Sequence, residues 1–464
     1  MDLLSDRKQM EMSVDWIQVP HLYGKIIALG SEALQIRATV ELGRHSEYAP
    51  KSVLAQIVPV LVGLLGHSLG SSDPPPVAGA AAYCLDCFAR RGDGALCMLM
   101  GQSGAIPALL RLLPQSEGRY QRVLAKCLRS IVCCDSLSRA ILTRNDGVGI
   151  ILNLISSSVG DTRRYLLEIF SSIAMLRDVR WAIINFGGLP SLIESAGTGK
   201  IVSRTRAAHA IGLLGVTRRV RQMLVDLDVI PVLTSLLRDG DMIAKMTAGN
   251  ALGIISSHVD YLRHVAREGA IPLFAELLEG PEPLGREIAE DVFCILAVAE
   301  ENAISIAGHL VRILQGDNNV AKAAAADVLW DLSGYKHLVS VVRNSGAIPL
   351  LLELLTGGND DAREKASGAV AQLSYDEADR GALIDAGAIP VLIGLLQDES
   401  EELKDNAAEA LINFSEDPLL RDRISEAFDI PSFQHIQDRL IRIRASDEHM
   451  VRSLSRLSVE QFSP

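Results

Sequence analysis

One short motif has the residue types of a hydrolase. Residues Gly66 to Gly70 match G-x-S-x-G, in which a strained turn between a strand and a helix exposes a nucleophilic serine. Here an apolar helical stretch precedes Ser68, and a proline-rich segment that ends at Pro76 follows it. We therefore interpret the glycines as helix breakers followed by a loop, and keep a Ser68-dependent hydrolase as an alternative. Failure of an active-site serine probe to label the protein would exclude that alternative.

A second motif hints at phosphate binding. Residues 197–200 read Gly-Thr-Gly-Lys, but a phosphate-binding loop also needs an earlier glycine and a Ser or Thr after the lysine. Glu194 and Ile201 occupy those two positions. The stretch also falls where a turn between two helices is expected, so we reject phosphate binding.

The cysteines have one pair at metal-ligand spacing, Cys84 and Cys87. A structural metal site needs a second pair or histidines at ligand spacing, and the sequence has neither. We interpret these two residues, together with Cys133 and Cys134, as buried structural cysteines. The sequence therefore predicts no catalytic residue, no cofactor and no metal, and we expect a protein that is not an enzyme.

Composition limits the class of partner. The 464 residues carry a formal net charge of −12, whereas a nucleic-acid-binding protein needs a clustered basic surface. The longest apolar run, Ile57 to Gly66, is shorter than the ~20 residues that span a bilayer. No signal peptide is recognisable, and the seven cysteines are irregularly spaced. We expect a cytoplasmic or nuclear protein, or both, with reduced thiols, which binds no nucleic acid and does not span a membrane.

The strongest signal is a repeated phrase. Gly387-Ala388-Ile389-Pro390 has a glycine where the chain turns and a proline where a helix can lack an N–H. Related phrases follow at nearly constant distance, which indicates an array of repeats. The anchor residues are Pro59, Pro107, Gly149, Pro190, Pro231, Pro272, Gly308, Pro349, Pro390 and Pro431, at intervals of 48, 42, 41, 41, 41, 36, 41, 41 and 41 residues.

Each period has the same order of elements. A short first helix leads to the anchored second helix, and a turn with Gly, Asp or Asn then precedes a long, Ala-rich third helix. The interval of 36 lacks about one and a half turns near residues 302–307, where a first helix is expected. The interval of 48 contains the proline-rich segment.

This period and order of helices resemble the armadillo repeat family. The phrases KASGAVAQLS and NAAEALINFS are similar to repeats of plant armadillo proteins, including those fused to U-box ubiquitin ligases. The resemblance implies an all-α fold, an armadillo-repeat right-handed superhelical solenoid. We expect about nine to ten repeats over residues 31–445. A lead or cap over residues 1–30 would precede the array, and a capping helix and tail over residues 446–464 would follow it.

In armadillo proteins the third helices line a concave groove. Importin-α and similar members hold extended basic peptides there with Trp and Asn one turn apart. Aligned on that phrase, only Trp330 retains the tryptophan and no third helix retains the asparagine. This departure argues against a nuclear import receptor and favours a helix or folded domain of another protein as the partner. The candidate groove residues are Asp86, Arg90, Arg129, Trp330, Tyr375, Asn413 and Glu416.

The sequence thus predicts a non-enzymatic scaffold that binds a partner protein in its groove. The alternative is a substrate-binding adaptor in a ubiquitin ligase pathway, although the 30 residues before the array are too few for a U-box. The acidic stretch from Asp398 to Glu402 remains open to two interpretations. It is either helix-start charge, which suits the helix dipole, or a contact for a basic partner.

Overall fold

The computed structural model describes residues 15–66, 76–91, 94–418, 420–421, 423–431 and 433–439, and within them it contains helices and no strand. The chain divides into two compact units, Met1–Ala251 and Leu252–Pro464, which we describe separately. Ser68, most of the proline-rich segment and the predicted capping helix over 446–464 lie outside the described residues.

The first unit is a stack of short and long helices. Its third helices, which we label α2, α4, α7, α10 and α13, pack in consecutive pairs. Helix α16 contains the division between the units. The helices are α1 (Val19–Leu29), α2 (Glu32–His45), α3 (Lys51–Gly66), α4 (Pro76–Ala89), α5 (Gly94–Gln102), α6 (Ala105–Leu112), α7 (Gly118–Cys134), α8 (Ser136–Arg144), α9 (Gly147–Ser157), α10 (Gly160–Ala174), α11 (Arg177–Asn185), α12 (Leu189–Gly197), α13 (Ile201–Gly215), α14 (Arg218–Asp226), α15 (Val229–Asp239) and α16 (Met242–Ser256).

The second unit continues the same order of helices. Its third helices are α19, α21, α24 and α27, and each packs against the next. The helices are α17 (Val259–Arg267), α18 (Ala270–Leu278), α19 (Pro283–Leu296), α20 (Glu300–Leu314), α21 (Asn319–Ser333), α22 (Val339–Asn344), α23 (Ala347–Gly357), α24 (Asp360–Leu373), α25 (Glu377–Asp385), α26 (Ala388–Leu395), α27 (Glu401–Ser415) and α28 (Ser425–Phe428).

At most anchors, the residue three positions earlier lies at the turn between the first and second helices. Gly387 has φ +86°, in the left-handed region where glycine pays no steric cost, and α26 begins directly after it. Asp146 and Asp228 occupy the equivalent position with φ 54° and 56°. Aspartate is one of the few other residues that visit this region, because its short side chain can bond locally.

At two anchors where that residue is neither glycine nor aspartate, the two helices merge. Gln56 and Ser305 stand at this position before the anchors Pro59 and Gly308, and α3 and α20 each run through it as one helix. The separate short first helix that we expect in every period is therefore absent before Pro59, where one helix covers Lys51–Gly66. In the shortened interval near residues 302–307, the first helix is present, but the turn after it is missing.

Arginine side chains close the carboxyl ends of helices between the repeats. Arg204 and Arg363, on third helices, each donate to a carbonyl eight residues earlier, at the end of the preceding second helix. Arg221 and Arg380, on first helices, donate to carbonyls six residues earlier, at the end of the preceding third helix. The last carbonyls of a helix have no partner within it, so these bonds satisfy groups that the stacking would otherwise leave unpaired.

The core consists mainly of aliphatic residues and alanine, as the composition suggested. Most of the fully buried side chains are Leu, Ile, Val and Ala, with a few phenylalanines such as Phe274 and Phe293, which meet edge to face at 6.3 Å. Among the described residues no single helix is long and apolar enough to cross a membrane. The pair Gly94–Gln102 and Ala105–Gln115, bent by 70°, reaches that length and composition only together.

Two glycines of one repeat give a test of the turn geometry. We expect Gly387→Ala to lower the free energy of unfolding by about 1 kcal/mol, because φ there is positive and alanine is strained. Gly394→Ala should raise it by ~0.5–1 kcal/mol, because this exposed glycine lies in α26 with open space beside it. Urea denaturation followed by circular dichroism measures both changes. If both substitutions change the free energy of unfolding in the same direction, the turn assigned at Gly387 is wrong.

Candidate protein-binding surface

The third helices of the second unit expose a strongly acidic face. Helices α19, α21, α24 and α27 together contain twelve acidic and five basic residues. We call the accessible side chains of these helices, with the two residues that follow each helix, the acidic third-helix surface. Asp291 and Asp331 on it are exposed, and the Asp331 carboxylate accepts a hydrogen bond from the Cys294 thiol at 3.5 Å.

Trp330 lies in the middle of this surface and is partly exposed. Its ring rests on α24 at Gly368, where a Cβ atom would come within 2.5 Å of the ring, so only glycine leaves room for it. The Lys365 ammonium lies 5.8 Å from the ring centroid, within cation–π range, and forms an ion pair with Asp327 at 3.0 Å. The tryptophan is therefore held in one position, with part of its ring accessible.

Exposed apolar side chains accompany the tryptophan. Val298, Tyr335 and Tyr375 follow the ends of α19, α21 and α24 and are 53%, 52% and 51% exposed. The Tyr375 hydroxyl also donates to the Glu409 carboxylate on α27. The surface thus combines apolar anchors with carboxylates, a combination that suits an amphipathic partner with basic groups.

Glu290 on α19 is the carboxyl whose environment is most unusual on this face. Burial, followed by the nearby Asp327 carboxylate, raises its pKa to about 7, although Lys365 and Arg286 oppose that shift. The side chain is therefore partly protonated near neutral pH, and it adds less negative charge than its neighbours.

The remaining predicted residues of this unit differ in accessibility. Asn413 is buried, and its amide donates to the Ser374 hydroxyl at 2.7 Å, so it joins two repeats instead of facing a partner. Glu416 is exposed and lies 3.8 Å from Arg380. Only Trp330, Tyr375 and Glu416 among the predicted groove residues of this unit present accessible side chains.

In the first unit, the predicted residues Asp86 and Arg129 connect helices, whereas Arg90 contacts residues of the helix that it follows. The buried Asp86 carboxylate accepts a hydrogen bond from Ser130 at 2.7 Å and pairs with Arg90 and with a lysine of α7. Arg129 pairs with Glu168 on α10 at 2.9 Å, with both side chains largely buried. The charges of Asp86 and Arg129 are thus used between helices, and Arg90 is the most accessible of the three residues.

Sequence reasoning missed Asp291, Asp327, Asp331, Glu290 and Lys365. It compared only two positions of each third helix, those of the importin tryptophan and asparagine, and so passed over residues one turn before and one residue after Trp330. A count of charges along each third helix would have found the acidic face. The stretch from Asp398 to Glu402, in contrast, matches the helix-start interpretation, because Asp398 pairs with Arg363 and Ser400 caps α27.

The titration of Glu290 predicts a pH effect on stability. A carboxyl whose pKa is higher in the folded state favours folding at low pH, and that advantage is lost as pH rises from about 4.5 towards 7. We expect Glu290→Gln to raise the free energy of unfolding by about 1 kcal/mol at pH 8 and to leave it almost unchanged near pH 4.5. Urea denaturation at both pH values measures this, with exposed Glu287→Gln on the same helix as control. Lower stability of Glu290→Gln at pH 8 would contradict it.

Comparison with known proteins identifies the repeat. The family model for the armadillo/beta-catenin-like repeat matches residues 376–415, which comprise helices α25, α26 and α27. No curated protein matches the chain by sequence.

Solved structures resemble the fold. An engineered protein, solved by crystallography, superposes with a TM-score of 0.63 at 22% identity and covers 85% of this chain and 98% of its own. A designed armadillo repeat protein has a TM-score of 0.38 at 19% identity, over 48% of this chain and 99% of its own. Another, in complex with the peptide (KR)4, has a TM-score of 0.40 at 19% identity, over 49% and 99%.

The family match and the fold agree with the repeated phrase and its period. The predicted all-α solenoid of armadillo repeats is confirmed. The chain therefore folds as an all-α solenoid, and its residues 376–415 match the armadillo/beta-catenin-like repeat.

Proposed function

We propose that the protein is a non-enzymatic scaffold that binds a partner protein on the acidic third-helix surface of its second unit. The armadillo fold is typical of proteins that bind other proteins. The observation that carries the proposal is Trp330, which the structure holds in place against Gly368 and leaves partly exposed among carboxylates. Aromatic residues fixed in this way are the usual anchors of protein interfaces.

The charge of the surface selects the chemistry of the partner. Carboxylates outnumber basic groups more than two to one on the four helices, so a basic partner is attracted and an acidic one repelled. The exposed apolar residues, such as Val298 and Tyr335, need apolar side chains opposite them. We therefore propose an amphipathic helix, or the face of a folded domain, with Lys or Arg beside apolar residues.

Lys365 competes with the basic groups of the proposed partner. Its ammonium already occupies the cation–π position beside the Trp330 ring and neutralises Asp327. A lysine or arginine of the partner must compete with it for both groups. Lys365 thus lowers the affinity for a basic partner.

Substitution of Trp330 tests whether it anchors a partner on this surface. We expect Trp330→Ala to weaken binding by about thirtyfold, as for an interface hot spot, and Glu402→Ala at the start of α27 to change it by less than about twofold. The probe is a synthetic amphipathic peptide with Leu and Lys at helical spacing, measured by fluorescence anisotropy. The same peptide with Glu in place of Lys is the control. If both variants bind the basic peptide as tightly as the wild type does, the acidic third-helix surface is not the binding site.

Charge variants test the surface without removing the ring. Asp291→Lys should weaken binding of the basic peptide by about fivefold, because it reverses an exposed charge. Lys365→Met should strengthen it, because the competing cation is lost while the side-chain volume is retained. Salt screens exposed charges, so both changes in affinity should be largest at low ionic strength. If the two variants do not change the affinity there, the electrostatic part of the proposal is wrong. Affinity purification with the wild type and with Asp291→Lys would then identify the natural partner.

The ubiquitin pathway is a narrower form of this proposal. It rests on the similarity of the phrases in α24 and α27 to repeats of plant proteins fused to U-box ligases. Under it, the scaffold delivers its bound partner to a ligase, in the cytoplasm or the nucleus. A pull-down that recovers the partner but no ligase subunit would count against the adaptor role and leave the binding role intact.

A further inference from the structure

Two cysteines of the first unit lie on helices that pack against each other. Cys97 is fully buried on α5, and Cys134 is the exposed last residue of α7, which packs on α5. The Cys97 sulfur lies 3.9 Å from the Ser130 carbonyl oxygen, one turn before Cys134. One turn before Cys97, a Cβ atom on Gly94 would lie 3.9 Å from the Cys134 carbonyl oxygen. These contacts place the Cys97 side chain beside the last turn of α7, the turn that ends at Cys134.

We propose that Cys97 and Cys134 form a redox-active thiol pair, in which Cys134 reacts with a peroxide and Cys97 then closes a disulfide. This inference concerns the first unit and does not rest on the proposed binding surface of the second. It also corrects the sequence interpretation of Cys134 as a buried residue, because its side chain is exposed.

The surroundings of the two thiols divide the roles between them. The neighbouring Cys97 thiol, followed by the positive charges of Arg129, Arg206 and Arg139, lowers the pKa of Cys134 to about 6, although partial burial opposes this. Cys134 is therefore largely a thiolate at neutral pH, and the thiolate is the reactive form. The hydrogen bond to Cys134 and burial raise the pKa of Cys97, which keeps its proton. Cys134 is thus the attacking residue and Cys97 the resolving residue.

The neighbouring Cys133 does not compete for this pairing. Adjacent residues of a helix point about 100° apart, and the Cys133 thiol is directed to α10, where it donates to the Glu168 carbonyl at 3.7 Å. Burial raises the pKa of Cys133, so its thiol is also less reactive.

The reaction balances with hydrogen peroxide as oxidant. The Cys134 thiolate attacks one peroxide oxygen, the O–O bond breaks, and hydroxide leaves as Cys134 becomes a sulfenic acid. The hydroxide takes up a proton from solvent, which replaces the proton that Cys134 released. The Cys97 sulfur then displaces the sulfenic hydroxyl, which leaves as water with the Cys97 proton, and the S–S bond forms. Two thiols and one peroxide give one disulfide and two waters.

The experiment treats the native, full-length protein with hydrogen peroxide and determines its intact mass and its disulfide-linked peptides. We expect the loss of two hydrogen atoms, a cross-link between the Cys97 and Cys134 peptides, and full reversal by dithiothreitol. In Cys97→Ser, Cys134 should stop at the sulfenic acid and be trapped by dimedone. Cys134→Ser should show no cross-link at the same peroxide concentration.

Two controls separate the pair from general oxidation. Cys133→Ser should form the cross-link at the wild-type rate, which also settles the assignment within the peptide that contains both residues. Cys294→Ser should do the same, because Cys294 lies in the other unit beside Asp331, and burial raises its pKa to about 12.

Alkylation of the wild-type protein tests the proposal even if the variants do not fold. Iodoacetamide should alkylate Cys134 at least tenfold faster than Cys294 at pH 7, because the rate follows the thiolate fraction. Equal alkylation rates, a cross-link that involves Cys133 instead of Cys134, or oxidation of Cys134 without a cross-link to Cys97 would each overturn the proposal.

Discussion

Close packing between successive third helices is the constraint on which the rest of the structure depends. A Cβ atom on Gly368 would come within 2.5 Å of Trp330, one on Gly253 within 2.7 Å of Val292, and one on Gly79 within 2.8 Å of Tyr120. In each case the small residue of one helix accepts a large side chain of its neighbour. The Ala-rich composition of these helices is therefore the condition for stacking, since interiors pack too densely to accommodate even one extra methyl group freely.

The same contact decides which charged groups remain available for function. In the first unit, the charges of Asp86 and Arg129 are directed between third helices, where Ser130 and Glu168 satisfy them. A charge used in this way holds the stack together, because removal of one member would leave the other buried and unpaired. In the second unit, Asp291 and Asp331 project outward from helices that stack through alanine and glycine. Partner binding is therefore expected on helices whose polar side chains are not needed for packing.

Much of the fold could be predicted because the repeat signals are local. The interval of 41 residues, the proline at the start of the second helix and the glycine before it each act within a few residues of chain. The anchors alone do not predict the merged helices α3 and α20, because these depend on the residue three positions before the anchor. Gln56 and Ser305 cannot adopt the left-handed conformation cheaply, so the helix continues through them.

The sequence by itself determined that this chain is an array, where each repeat begins, and that its core is aliphatic, because helix starts, turns and apolar periodicity are local properties. Only the tertiary structure decided which side chains of the third helices are free. Asn413 and Asp86 lie at the positions predicted for a groove, yet neighbouring repeats bury them. The pairing of Cys97 with the exposed Cys134 also depends on how α5 crosses α7. These outcomes depend on contacts between residues about 40 positions apart, which a helical period repeated along the chain does not specify.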